Sequence, residues 1–237
     1  MGTIWPIFKR EFKGYFRSPI AYIFISAFLI ISGWFFYQTF FVLDYASMRN
    51  YFDILPWLFL IFVPMVSMRM WAEERKSGTM EVLMTLPVRD HEAVLGKYLA
   101  GVAFLAVTLA LTLPIPLTAV MLGDPDMGVI LAGYIGGLFM GAAYLAMGIF
   151  VSSLTSSQIV AAIIGWVLCF VLFFIGNDLV LFNAPKALVP VCEYLGLGNH
   201  FESIGRGVLD LRDLVYYLSV VIFFLFLNVR VIETRKA

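Results

Sequence analysis

Apolar and polar positions along this chain fall into long blocks rather than short alternations. Six apolar runs stand out, at Ile20 to Leu43, Phe52 to Met70, Lys97 to Leu122, Val129 to Ser152, Gln158 to Ile175 and Leu214 to Val229. About 20 helical residues cross the ~30 Å hydrocarbon core of a bilayer, so the pattern predicts six transmembrane helices. Barrel strands would alternate in polarity, and these runs do not. Ahead of the first run, residues 3–17 place Ile4, Trp5, Phe8, Phe12 and Tyr15 at helical spacing with Lys9, Arg10, Lys13 and Arg17 on other faces. That predicts an amphipathic helix in the membrane interface. Ser18-Pro19 then reads as a cap and a first-turn proline that restart the chain as a spanning helix. The first run is too long and aromatic for a cleaved signal peptide, and no small-x-small site follows it.

Composition agrees: 62% hydrophobic, 16% aromatic and 14% charged residues, with a mean hydropathy of +0.92, lie far from soluble domains. The expected fold is an all-α integral membrane protein with residues 1–237 as a single transmembrane domain. Lys plus Arg and Asp plus Glu both number 16, so only the distribution of charge is informative. Lys9, Arg10, Lys13 and Arg17 precede the first run; Arg69, Arg75, Lys76, Arg89 and Lys97 lie between the second and third; Arg230, Arg235 and Lys236 follow the last. The other side has only Arg49, Lys186, Arg206 and Arg212, which puts both termini and the 73–87 segment in the cytoplasm. No basic surface suggests nucleic acid, and Cys169 and Cys192 do not suggest a disulfide framework.

Several chemistries are pruned by what the runs lack. Residues 20–43, 54–68, 98–122, 129–158 and 159–177 contain no Asp, Glu, Lys, Arg or His, whereas ion-coupled transporters and intramembrane hydrolases need such groups inside the membrane. No G-x-x-x-x-G-K-[ST] phosphate loop occurs, so ATP would have to be bound by a partner. Cys192, Glu193 and His200 match no familiar metal spacing and read as unrelated loop residues.

Three features outside this pruning carry information. Gly133, Gly137 and Gly141 recur every fourth residue, a seam that admits close helix packing, either inside the subunit or at a dimer interface. Residues 176–213 form a long, half-apolar outer loop that reads as two short helices separated by Gly196 to Asn199, either a cap over helix ends or a gate. Glu73 to Pro87, EERKSGTMEVLMTLP, puts solvated charges at Glu73, Glu74, Arg75 and Lys76, a break at Gly78, and from Thr79 a short helix carrying Met80, Leu83, Met84 and Leu86 that Pro87 stops. Such a helix fits a groove on another protein or rests on lipid headgroups. Pro56, Pro64, Pro114 and Pro116 predict kinks in the second and third spans.

The string SMRMWAEERKSGTMEVLMTLPV, Ser67 to Val88, resembles the signature region of ABC-2 type permeases, the membrane subunits of a class of ATP-driven exporters. The likeness extends to RSPIAY (Arg17 to Tyr22), LPWLFLIFVP (Leu55 to Pro64), VLGKY (Val94 to Tyr98), GIFVSSLTSSQIVA (Gly148 to Ala161) and HFESIGRGVLDLRD (His200 to Asp213), and is closest to gliding-motility (GldF-like) permeases. The resemblance implies that residues 73–87 are a coupling helix docking into an ABC ATPase subunit, with residues 3–17 as the connecting helix beside it. Glu73, Glu74, Gly78, Thr79, Glu81, Leu83 and Pro87 match the motif. On that pattern Met80, Leu83 and Met84 would fill the ATPase cleft, Glu74 and Glu81 would meet polar partners, and Leu86-Pro87 would end the helix. It also implies an extracytoplasmic re-entrant hairpin over residues 176–213, with His200, Phe201, Glu202, Arg206 and Asp210 at an outer gate. A second permease copy or related subunit is implied, as is an auxiliary membrane subunit with an extracytoplasmic domain. The location implied is the bacterial inner membrane, in contact with membrane lipid.

The expected function is therefore a non-catalytic permease that exports a lipidic or amphiphilic cargo, without a cofactor of its own. The alternative is a mechanotransmission permease that passes ATP-driven motion to an outer partner. A self-contained channel or secondary transporter lacks the polar pathway it would need. A cytoplasm-only reporter is expected to be active when fused after Ala237 and silent when inserted near Asp126, and the reverse result overturns the orientation.

Overall fold

The computed structural model describes residues 3–43, 47–79, 89–182, 185 and 187–234. Its helices are α1 (Ile4–Arg17), α2 (Pro19–Leu43), α3 (Arg49–Ser67), α4 (Arg69–Lys76), α5 (Asp90–Ala110), α6 (Pro114–Leu122), α7 (Met127–Leu154), α8 (Gln158–Phe174), α9 (Asp178–Leu181), α10 (Val189–Leu195), α11 (Leu197–Gly205) and α12 (Leu211–Thr234). Among the described residues there is no strand. Among the described residues five segments are long and apolar enough to cross a membrane: Pro19–Val42, Arg49–Lys76, Asp90–Leu122, Met127–Leu154 and Leu211–Thr234.

The fifth apolar run, expected at Gln158 to Ile175, ends within one residue of that expectation but is not among the five spanning segments. It forms α8, whose 17 residues reach about 25 Å at ~1.5 Å per residue. The helix stops because Ile175 and Gly176 turn against the outer hairpin. Asn199 Nδ2 donates to the Gly176 carbonyl at 2.8 Å, and a Cβ on Gly196 would lie 2.8 Å from Gly176 Cα. The boundaries of other runs shift as well. The third helix begins at Asp90, seven residues before the apolar run, and breaks at Leu111–Leu113 ahead of Pro114. A ring without an amide hydrogen cannot continue the ladder there.

At the centre of the bundle lies α7. In its most apolar window 72% of residues are buried, against 28% for Pro19–Val42, so α7 is enclosed by protein and α2 faces lipid. Enclosure requires small residues, and the glycine seam supplies them. A Cβ at Gly133 would meet the Phe52 ring at 2.5 Å, at Gly137 it would meet Leu55 Cδ2 at 2.8 Å, and at Gly141 Leu105 Cδ2 at 2.4 Å. The seam is thus filled by α3 and α5 of the same chain.

The second apolar run also breaks, at Met68 between α3 and α4. The Pro64 carbonyl accepts there from both Met68 N at 2.9 Å and Ser67 Oγ at 3.0 Å, and the new helix needs partners for its first amide hydrogens. Ser152 of α7 supplies them: its Oγ accepts from Trp71 N and Ala72 N at 3.1 Å each and donates to Met68 O at 2.8 Å. Arg75 adds a hydrogen bond to Ser153 O at 3.0 Å. One end of α7 is therefore stitched to the α3–α4 break.

Ser152→Ala leaves two buried amide hydrogens without that acceptor, at a cost of about 1–3 kcal/mol. A measurably lower melting temperature in detergent is expected, with Ser152→Thr closer to wild type; an unchanged melting temperature for Ser152→Ala refutes the stitch.

Candidate coupling site and outer hairpin

One end of the bundle is organised by α1, which runs beside the start of α5. Thr3, Ile7, Glu11 and Tyr15, spaced four apart, form its docking stripe. Thr3 Oγ1 donates to Glu92 Oε2. Ile7 is buried against Gly96, where a Cβ would sit 2.7 Å from Ile7 Cγ2. Tyr15 stacks on Phe104 with ring centroids 4.7 Å apart. A separate face carries the aromatic ladder Trp5, Phe8, Phe12 and Phe16, at 5.1, 5.7 and 5.2 Å. The apolar set expected from periodicity mixed these two faces.

Where the docking stripe reaches α5 stands Lys97, whose side chain is 1% exposed. Its Nζ lies 2.8 Å from Glu74 Oε1 and 3.2 Å from Glu11 Oε1, and 4.9 Å above the Trp71 ring. Arg10 closes the set at 2.6 Å from Glu11 and 3.2 Å from Glu74. Two cations thus alternate with two carboxylates, joining α1, α4 and α5 at one point. Burial alone would raise the Glu11 carboxyl, but Lys97 and Arg10 together outweigh it and hold the group below its ordinary value. A buried ammonium is tolerated because it has two carboxylates and an aromatic face.

This corrects the reading of Glu74 as a solvated charge awaiting an external partner: it is paired within the chain. Glu73 is exposed and bonded to Arg69 at 2.9 Å. The charged run is helix α4, and Gly78 follows it with φ of 71°, the left-handed conformation that favours glycine. Thr79 Oγ1 hydrogen-bonds Ser77 Oγ at 2.8 Å. Met80, Glu81, Leu83, Met84, Leu86 and Pro87 lie outside the described residues, so the node stands immediately before the segment whose docking role the sequence suggested.

The outer loop folds into α9, α10 and α11. A single residue, Gly196, separates α10 from α11, not the four-residue spacer expected, because Leu197 to Asn199 already join the second helix. That helix buries Leu197, Phe201, Ile204 and Gly205, with Ile204 over Gly136 of α7. Phe201, expected at a gate, is 3% exposed and belongs to the core. Glu202 and Arg206 form an exposed pair at 3.8 Å, and Asp210 Oδ1 accepts from Arg212 N at 2.9 Å. His200 points instead to Asp213 and the end of α10. Of the five proposed gate residues, His200, Glu202 and Asp210 line one cleft, whereas Phe201 and Arg206 do not. Among the described residues no group of three His, Cys, Asp or Glu side chains is placed to hold a metal.

Lys97→Met leaves two partly buried carboxylates facing each other with only Arg10 between them, at a cost on the order of 3 kcal/mol. A lower melting temperature and faster amide exchange in α1 are expected, with Lys97→Arg recovering part of both. Glu11 is depressed, so its contribution is whole above its ordinary carboxylate value, 4.5, and is lost as pH falls through the lowered value. Protection of α1 is thus expected to drop on acidification below about pH 4.5 in wild type and to lose that acid step in Glu11→Gln. Wild-type protection in Lys97→Met contradicts the node.

No curated protein matches the sequence closely enough to count as a relative. A family model described as "ABC-2 family transporter protein" matches residues 36–197, more than half of the chain. The matched stretch contains the α3–α4 break, Ser152, Glu74 and Lys97. Such a family implies an ABC ATPase as partner. With five helices long and apolar enough to span a bilayer, this chain is a multi-pass membrane protein that belongs to the ABC-2 transporter family.

Proposed function

We propose that the chain is the permease subunit of an ATP-driven exporter, of the gliding-motility (GldF-like) type, acting on a lipidic or amphiphilic cargo. Six crossings place both termini in the cytoplasm of a bacterial inner-membrane protein, with α8 as the fifth crossing and the hairpin completing the membrane thickness on the outer side. Hydrolysis resides in a partner ATPase, and a second permease subunit, identical or related, completes the pathway. Spans without charged residues in their apolar stretches support an amphiphilic cargo better than an ion.

The observation that carries this reading is the position of the Lys97 node. It lies at the base of the 73–87 segment, where α4 is tied to α1 and α5 by Glu74, Glu11 and Arg10 and to α7 through Ser152. A push on the coupling segment therefore acts on three helices and on the central one. From α7 the displacement reaches the outer hairpin through Ile204. The segment itself bears the docking contacts, with Met80, Leu83 and Met84 filling the ATPase cleft.

Gly78→Ile tests this on backbone grounds. Nothing lies within 4 Å of a Cβ there, so the substitution strains the φ of 71° without a clash. Leu83→Asp tests the docking face by putting a charge into an apolar cleft. Purification from the native host is expected to bring down a soluble ATPase with wild type, and both variants are expected to insert normally but lose the ATPase or its stimulation. Full stimulation in both variants refutes the coupling role.

A further inference from the structure

On the hairpin, His200 has hydrogen-bond acceptors on both ring nitrogens. Nδ1 lies 2.7 Å from Asp213 Oδ1, and Nε2 lies 2.9 Å from the carbonyl oxygen of Tyr194. A neutral imidazole has one N–H and can satisfy only one of two acceptors. The arrangement is complete only with one more proton, carried either by the imidazole as a second N–H or by Asp213 as a carboxylic acid donating to Nδ1. In both cases the pair holds one proton more than a carboxylate beside a neutral ring. We propose that the His200–Asp213 pair is a proton-binding site that fastens the outer hairpin, a role that holds whatever the cargo.

Aromatic rings and a hydroxyl group enclose the pair. The Tyr216 ring is stacked on His200 at 3.9 Å and 19°, presenting its negative π face. Tyr194 of α10 meets the imidazole edge-on at 5.7 Å, and Tyr217 of α12 at 6.4 Å. Ser203 lies 2.5 Å from the second oxygen of Asp213. The histidine and aspartate side chains are 13% and 12% exposed, on the wall of an open cleft of about 690 Å³ through which a proton can exchange. The other charged groups on that cleft are Glu193 of α10, Glu202 of α11, Asp178 of α9, and Asp210 and Arg212 at the start of α12.

The site has a defined mechanical role. The last carbonyls of α10 have no partners within their own helix, and side chains from the next two helices cap them. Asn199 donates to Glu193 O at 3.4 Å, His200 faces Tyr194 O, and Tyr216 donates to Leu195 O at 2.6 Å. Tyr217 donates to Leu197 O at 2.8 Å. Among these caps the histidine is the one whose number of donors changes with its proton. Losing its proton takes one donor from the end of α10 and leaves the hydroxyl and amide caps in place. The predicted consequence is local loosening of α10, not loss of the fold.

The test is amide hydrogen exchange on the full chain in lipid nanodiscs between pH 5.5 and 8.5, corrected for intrinsic exchange rates. Net loss of one charge-assisted hydrogen bond corresponds to roughly a tenfold change in opening, so residues 189–195 of wild type are expected to exchange about tenfold faster at the alkaline end. His200→Gln, which keeps a donor but cannot titrate, is expected to exchange at one level throughout. Asp213→Asn serves as a second variant and is likewise expected to lose the wild-type step. A flat wild-type profile overturns the proposal, and so does a step that persists unchanged in either variant. Because both faces of a nanodisc see the same pH, the result is independent of orientation, ATPase and cargo.

Discussion

A single buried ammonium organises the end of this protein where α1, α4 and α5 meet. Lys97 is withdrawn from water at the start of a membrane-spanning helix, and its charge is compensated only because α1 and α4 each bring a carboxylate to it. The same compensation limits how those helices can move. If α1 slides along α5, Glu11 leaves Lys97; if α4 swings away, Glu74 does. Either displacement exposes an uncompensated buried charge, which costs more than most surface contacts return. The amphipathic helix α1, helix α4 and the third apolar run thus behave as one body.

The opposite half is held by different forces. Its helices meet through removed side chains on α7, where glycine lets Phe52, Leu55 and Ile204 approach the backbone, and through hydroxyl and imidazole groups that cap α10. The halves are joined by α7, which receives the α3–α4 break at Ser152 and supports α11 at Gly136. A long rigid helix between a charged node and a capped hairpin is a suitable element for carrying motion across a membrane, whatever drives it.

Much of this architecture was legible in the sequence, because lipid imposes a simple code on helix length and polarity. The amphipathic start, the proline breaks and the tight outer turn at Asp126 followed from local chemistry. The extent of α8, Gln158–Phe174, was legible to within one residue, but not the contacts of Gly196 and Asn199 at its end, which the loop brings back from a distance. The Lys97 node was missed for a similar reason. Positive charge flanking an apolar run is what topology predicts, so Lys97 counted as an orientation signal, and nothing local links it to Glu74 or to Glu11. One clue was present: Gly96 precedes it, and a glycine at the mouth of a span suggests that another backbone comes close, as α1 does. His200 and Asp213 were legible only as members of a matching motif; that both ring nitrogens face acceptors needed coordinates.

The claim that α1, α4 and α5 move as one body can be measured by placing spin labels at Lys13, Lys76 and His91, exposed positions on the three helices. Distances among them, recorded by pulsed electron paramagnetic resonance in the complex with its ATPase, are expected to be the same in nucleotide-free and ATP-trapped states, while distances from the same sites to a label at Leu179 on the outer face change. Labels that separate from one another on ATP binding would show that the node opens during the cycle, and the account of Lys97 as its fixed centre would be wrong.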